Sequence, residues 1–222
     1  DGFLHWYKFM FTSEGILGIA GESEDVWNTL GTTCFYLIGI PIGMALSLGI
    51  SVLMTRDIKF SGTFRVIYYI PTVASTVSIA VMWTNLFGDG GFMQQVFGLD
   101  LLSAGTSYWA QRMCVIMLTV WKGLGGTVVL FVAGLNGVNA SYHEAAEIDG
   151  ANAWSIFWRI TMPQLYPTIF YVLVTSVIGR MQIFIEPNLI FGNYPATGSM
   201  ATAGTRYNIP FVGYIFGVFN NG

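Results

Sequence analysis

Four long apolar runs limit what this chain can fold into. Leu30 to Met54 carries no charge and neither does Val66 to Phe87, while Met113 to Leu135 is interrupted only by Lys122 and Ile160 to Ile185 only by Arg180. A helix needs about 20 apolar residues to cross the hydrocarbon of a bilayer. Only helices and closed barrels satisfy every backbone group there, and barrel strands must alternate apolar with polar residues, which these runs do not. The expected fold class is therefore all-α: a polytopic membrane helix bundle, one transmembrane domain over 1–222.

Charge content agrees. Only 9% of the 222 residues are charged and the mean hydropathy is +0.59, whereas a soluble domain carries about 25% charged residues. So few charges cannot cover a surface facing water, and lipid must cover most of it. The net charge of −3 and the lack of a basic run argue against nucleic acid as a partner. Cys34 and Cys114 both fall in apolar runs and read as small packing residues, not as a disulfide or metal site.

The chain opens Asp1-Gly2 without a basic segment leading into a short apolar core, so no signal peptide is expected. The tail from Ile209 to Phe219 is too short to span. We expect a piece of a longer protein: a lead-in over 1–29, spans at 30–54, 66–87, 113–135 and 160–185, and the start of a fifth at 207–222.

Lys and Arg in short loops set the orientation. Arg56, Lys59 and Arg65 lie between the first two spans, and Arg159 lies in the polar insert at 136–163. Glu14, Glu22, Glu24, Asp25, Asp89 and Asp100 dominate the other side, with Lys8, Arg112 and Arg206 among them. The 55–65 loop and the insert are thus expected in the cytoplasm, and both ends of the chain outside. Asn139-Ala-Ser141 has glycosylation spacing but lies on the cytoplasmic side. Gly39-Ile-Pro-Ile-Gly43, Pro71, Pro163 and Pro167 read as ordinary helix packing and helix starts.

The insert is the one long polar stretch between spans. Ser141 followed by Glu144 forms a capping-box pattern, opening a helix from Tyr142 to Asp149 that Gly150 can end in a left-handed conformation. That helix is about two turns, roughly 12 Å. Ala145 and Ala146 keep its surface low enough for another backbone to approach. Asn152 can cap a second helix with an apolar face of Ala153, Ile156, Phe157 and Ile160, closed by Pro163. Periodicity alone leaves two readings open, a docking element and an elbow joining two spans. Glu144, Glu147 and Asp149 cluster there, but as part of a capped helix and not as a metal or acid–base site.

The string Glu144-Ala145-Ala146-x-x-Asp149-Gly150-Ala151, followed by Ile160-x-x-Pro163, resembles the EAA loop of permease subunits in binding-protein-dependent ABC importers. The flanks FRVIYYIPTVASTVSIAVMWTNLF, VWKG and FVAGLNGVNASYHEAAEIDGA extend the resemblance over nearly the whole chain from Val26 onward, with Met162 standing where the family usually has Leu. The resemblance implies a type I importer permease fold in a bacterial or archaeal cytoplasmic (inner) membrane. It implies an ATPase-coupling element of Glu144, Ala145, Ala146, Asp149, Gly150, Ala151, Ile160 and Pro163. The implied partners are a cytoplasmic ABC ATPase dimer holding ATP and Mg, a second permease subunit, and an extracytoplasmic solute-binding protein. Ile148-Asp149-Gly150-Ala151 is similar to the carbohydrate branch, and YYIPTVAS to the first of two sugar permease subunits, so a sugar, oligosaccharide or glycerol phosphate is the expected solute.

The chain offers no phosphate-binding loop of its own, so it is expected to be non-catalytic, without cofactors. Polar residues inside spans are costly and invite a reason. Arg180, Gln182 and Glu186 are candidates for a solute path, with Trp83, Asn85 and Trp121 offering a stacking face and hydrogen bonds; packing and snorkelling account for the same residues. The competing readings are an ion-gradient-driven transporter and a passive channel. The first calls for internal repeats and a mid-span acid, neither of which the sequence has.

Overall fold

The structure, a computed structural model, describes residues 22–55, 61–99, 101–102, 107–191 and 208–215. Every regular element among them is helical: α1 (Glu22–Tyr36), α2 (Gly39–Met54), α3 (Ser61–Val73), α4 (Thr76–Phe87), α5 (Phe92–Phe97), α6 (Tyr108–Asn136), α7 (Ala140–Ile148), α8 (Ala153–Ile156), a π turn (Phe157–Thr161), α9 (Met162–Met181), α10 (Ile185–Phe191) and α11 (211–215). Among the described residues three stretches are long and apolar enough to cross a membrane: Trp27–Met54, Tyr108–Asn136 and Ala153–Met181. A fourth run, from Arg65, is split at 74–75.

The expected span boundaries change in physically legible ways. The run at 30–54 starts earlier and is interrupted at Leu37–Ile38, where the N–H groups of Leu37 and Ile38 bond three residues back, to Cys34 and Phe35. Pro41 has no N–H to offer the Leu37 carbonyl, so an unbroken α-helix would leave that group unpaired. The run at 66–87 is two helices, because Ser75 takes extended backbone (φ −58°, ψ 130°) and starts α4. The run at 113–135 is one helix, lengthened to Tyr108–Asn136.

The run at 160–185 instead begins at Ala153 and ends at Met181. A helix continuing through 182–186 would need an N–H at Pro187 to reach the Ile183 carbonyl, and proline lacks it. Residues 136–163 are consequently not all loop: α6 reaches Asn136 and 153–163 belong to the following long helix. Of the lead-in at 1–29, residues 1–21 lie outside the described residues. Of the tail at 207–222 only 208–215 are described.

The chain divides into two compact units. The first comprises Asp1–Ile38, Ser75–Leu118 and Gly179–Gly222. In it α4 packs against α5 and α10, burying Ile79, Ala80, Trp83 and Phe87, while Cys114, Val115 and Leu118 of α6 are also buried.

The second unit comprises Gly39–Ala74 and Thr119–Ile178. Here α6 receives three neighbours at very short range. Ser51 Oγ of α2 donates to the Ser47 and Val128 carbonyls at 2.6 and 3.2 Å. Thr72 Oγ1 of α3 donates to the Lys122 carbonyl at 2.9 Å. A Cβ placed on Gly125 would sit 2.9 Å from the Tyr68 carbonyl oxygen and 3.1 Å from Tyr69 Cα, and one on Gly134 would meet Thr168 and Leu165 of α9 at 2.9 and 3.0 Å. Small residues and hydroxyl-to-carbonyl bonds are how helices approach closely in lipid, where apolar burial supplies no drive between them.

Candidate functional site

The polar insert is built on three caps. Asn139, not Ser141, opens α7: its side chain accepts from the Ser141 N–H at 3.0 Å and the helix begins at Ala140. The capping box expected from Ser141 and Glu144 does not form, because an equally good cap residue stands two positions earlier and adds half a turn. Glu144 is thereby left exposed on the helix surface. At the other end Gly150 has φ +75°. The Ala151 N–H bonds to the Ala146 carbonyl at 2.9 Å and the Gly150 N–H to that of Glu147 at 3.0 Å, the hydrogen-bond pair of a Schellman cap. Space around Gly150 is open, so its backbone angle alone asks for glycine. Asn152 then opens α8, accepting from the Ser155 N–H at 2.8 Å.

The two faces of α7 differ sharply. His143 Nε2 lies 3.2 Å from Thr161 Oγ1, and Ala146, Ile156 and Thr161 are buried, so this face packs on the start of the next helix. Ala146 is therefore covered by the chain itself, and only Ala145 of the two alanines remains on the open side. Tyr142, Glu144, Glu147, Asp149 and Gly150 are exposed with it. Ile148 is 87% exposed, a large apolar side chain at the tip of the turn that the composition of the insert did not single out.

Pro163 does not close the second helix. The Met162 N–H bonds to the Phe157 carbonyl, five residues back, and this wider turn lets the chain run through Pro163, whose ring would otherwise crowd the Arg159 carbonyl. The expected apolar face is correspondingly uneven: Ile156 is buried, Phe157 and Ile160 half-buried, and Ala153 exposed. Ala151 is half-buried and Pro163 exposed.

The candidate solute-path residues are only partly brought together. Trp121, exposed, belongs to the second unit and the other five to the first. Trp83 is 8% exposed and stacks on Phe87 with ring centroids 5.0 Å apart, so its faces serve packing. Asn85 is exposed, its amide donating to the Val81 carbonyl of its own helix at 2.8 Å. Glu186 opens α10, the helix that packs on α4, and it attracts Arg180 at the end of α9. Gln182 is exposed in the turn between them.

A second polar assembly, absent from the expectations, lies buried in the first unit. Arg112 at the start of α6 donates from Nε to Asn208 Oδ1 at 3.2 Å and from a terminal nitrogen to Thr32 Oγ1 at 2.7 Å. Asn208 donates to Gln111 Oε1 at 2.5 Å and its carbonyl accepts from the Tyr36 hydroxyl at 3.1 Å. Thr33 Oγ1 accepts from the Phe211 N–H at 2.9 Å. The guanidinium carbon also lies 5.3 to 5.7 Å from the ring centroids of Phe35, Tyr108 and Trp109, which favours the cation electrostatically. Sequence separations of 80 to 178 hid these pairings; the only local signal was a basic residue at the edge of an apolar run.

Comparison with known proteins adds what geometry cannot. Residues 39–219 match the family model of the binding-protein-dependent transport system inner membrane component. The "Probable ABC transporter permease protein YesP" of Bacillus subtilis is 31% identical over 194 residues, covering 83% of this chain and 58% of that protein. The lactose transport system permease protein LacF of Rhizobium radiobacter is 28% identical over 211 residues, 90% of this chain and 70% of its own length. The chain thus spans little more than half of the first of these relatives. A crystal structure of a bacterial ABC transporter that imports the acidic polysaccharide alginate aligns over 99% of this chain and 73% of its own with a TM-score of 0.71 at 21% identity, a likeness of fold. The chain belongs to the family of binding-protein-dependent transport system inner membrane components.

Proposed function

We propose that this chain is the membrane-spanning permease subunit of an ATP-driven importer, and that residues 140–163 couple it to a cytoplasmic ATPase dimer. The observation that carries the coupling role is the open side of α7. A nine-residue helix is held from behind by His143 and Ala146, stopped by Gly150, and presents Ala145, Glu144 and a nearly bare Ile148 outward. Leaving an isoleucine in water brings no benefit to the chain alone, whereas burying it in a partner groove is worth about 1.5–3 kcal/mol. Glu144, Asp149 and Gly150 stand on or beside the same side; Ala151 lies where the turn rejoins the long helix, and Ile160 and Pro163 lie about two to three turns further along it.

The proposed solute is a carbohydrate or oligosaccharide delivered by an extracytoplasmic binding protein, with a second permease subunit completing the path. Support comes from relatives named for lactose and, in Bacillus subtilis, for arabinooligosaccharides, the latter 31% identical over 191 residues. A further aligned structure holds a bacterial alginate ABC transporter with a pentasaccharide-bound periplasmic protein. Asn85, Gln182, Arg180 and Glu186 are the proposed solute contacts. Trp83 would serve the path as its packed wall.

Co-purification of the permease with a candidate ATPase tests the coupling role. Native protein is expected to retain the ATPase, and Gly150→Pro and Glu144→Lys to lose it while still inserting. Retention indifferent to both changes would reduce the insert to an elbow.

A further inference from the structure

We propose that Trp154, Trp158 and Arg159 form a docking surface for anionic lipid headgroups at the cytoplasmic face of the bilayer, so that the coupling turn is hung from the membrane surface. The proposal rests on the orientation adopted above for residues 140–163.

Length is the first ground. The helix Ala153–Met181 has 29 residues, about 43 Å, against a hydrocarbon core of about 30 Å. Arg159 and Arg180 bracket a run without charge, Ile160 to Gly179; its 20 residues are about 30 Å of helix, the thickness of that core. The surplus is residues 153–159 at one end and 180–181 at the other, and the longer stretch reaches headgroup height. Tryptophan is enriched at that depth because its ring is apolar and its N–H wants a polar partner.

Exposure and register are the second. Trp154 is 71% and Trp158 48% exposed, and Tyr166 and Phe170 further along are exposed as well. In an unbroken α-helix Trp154 and Phe170 would lie roughly 160° apart around the axis. The π turn at Phe157–Thr161 inserts one residue and sets the register back by roughly 100°, leaving them roughly 60° apart. The tryptophans thus continue the side on which Tyr166 and Phe170 are exposed. Their rings meet edge to face with centroids 5.7 Å apart, which holds both in one plate. Arg159 is exposed beside Trp158, and a guanidinium pairs with phosphate through two parallel hydrogen bonds.

The two competing occupants are the ATPase and the second permease. Each predicts that the tryptophans leave lipid or water when that protein binds. The test uses the full-length permease, with its partner permease, in nanodiscs of phosphatidylethanolamine and phosphatidylglycerol. The emission of the Trp154→Phe/Trp158→Phe variant is subtracted from that of the native protein, with the single variants as substitutes should the double one fail to insert. We expect the difference emission to be quenched most by lipids brominated near the glycerol, less by those brominated near the chain ends, and little by aqueous iodide. It should be unmoved by added ATPase. Arg159→Gln, or phosphatidylcholine in place of phosphatidylglycerol, should diminish the shallow quenching.

Quenching by iodide but not by bromolipid, quenching by neither, or protection from both on adding ATPase, overturns the proposal. ATPase retention is read on the same nanodiscs. Its loss in native protein would sink the coupling reading while leaving the lipid result legible.

Discussion

The two units hold their polar groups in opposite ways. In the first, Tyr36, Thr32, Gln111, Arg112 and Asn208 are buried and bonded to one another across three chain segments, and Thr33 beside them accepts from the Phe211 N–H. In the second, α7 closes its own backbone with caps and then leaves Ile148 and three carboxylates exposed. A polar cluster that is complete within one chain contributes to its architecture. A surface that is locally rigid yet apolar at its tip is prepared for something outside the chain. The contrast teaches where a missing partner belongs better than the location of charge alone, since both regions are polar.

Four substitutions put that contrast at risk. Asn208→Ala removes two side-chain bonds, one of them to a guanidinium, and bonds to charged groups are worth about 1.5–3 kcal/mol each. The permease should lose about 3 kcal/mol in detergent unfolding while retaining its ATPase. An unchanged midpoint would mean the buried assembly is decoration. Gly150→Pro imposes a negative φ where +75° is needed and deletes the N–H bonded to Glu147. It should abolish ATPase retention with a smaller loss of thermal stability, the reverse pattern of Asn208→Ala.

Thr161→Val takes away the hydroxyl that meets His143, at about 1 kcal/mol, and should weaken ATPase retention without abolishing it. Amide exchange across α7 measures that loosening. Ile148→Ser is the mildest change for the chain itself, within about 0.5 kcal/mol of native stability, yet it should still lower affinity for the ATPase in a titration. If Ile148→Ser costs stability instead, the side chain is not the open surface described.

Much of this architecture could be read from the residues alone, and the exceptions share a cause. Scarcity of charge identifies a membrane protein, and the run around Lys122 becomes the uninterrupted α6. Gly150 ends a helix through its backbone freedom and Asn152 opens one with its side chain. The break at Leu37–Ile38 escaped because hydropathy registers composition, not which carbonyl lacks a donor, and the one at Ala74–Ser75 leaves no mark in composition either. The choice of Asn139 over Ser141 was a contest between near-equal caps. The Arg112–Asn208 pairing joins residues 96 apart in sequence, where no periodicity operates. At the solute path, Trp83 looked available by type and is in fact packed, since an aromatic residue in an apolar run carries no mark of which side of its helix is covered.

Gly125 has a consequence for the variation such a gene can tolerate. Its α-carbon faces the backbone of Tyr68 and Tyr69 with no room for a methyl group. Every codon change that replaces a glycine adds at least that atom. Alleles altered here would enter a population already carrying a splayed pair of helices, so the position is one where drift has no neutral step to take.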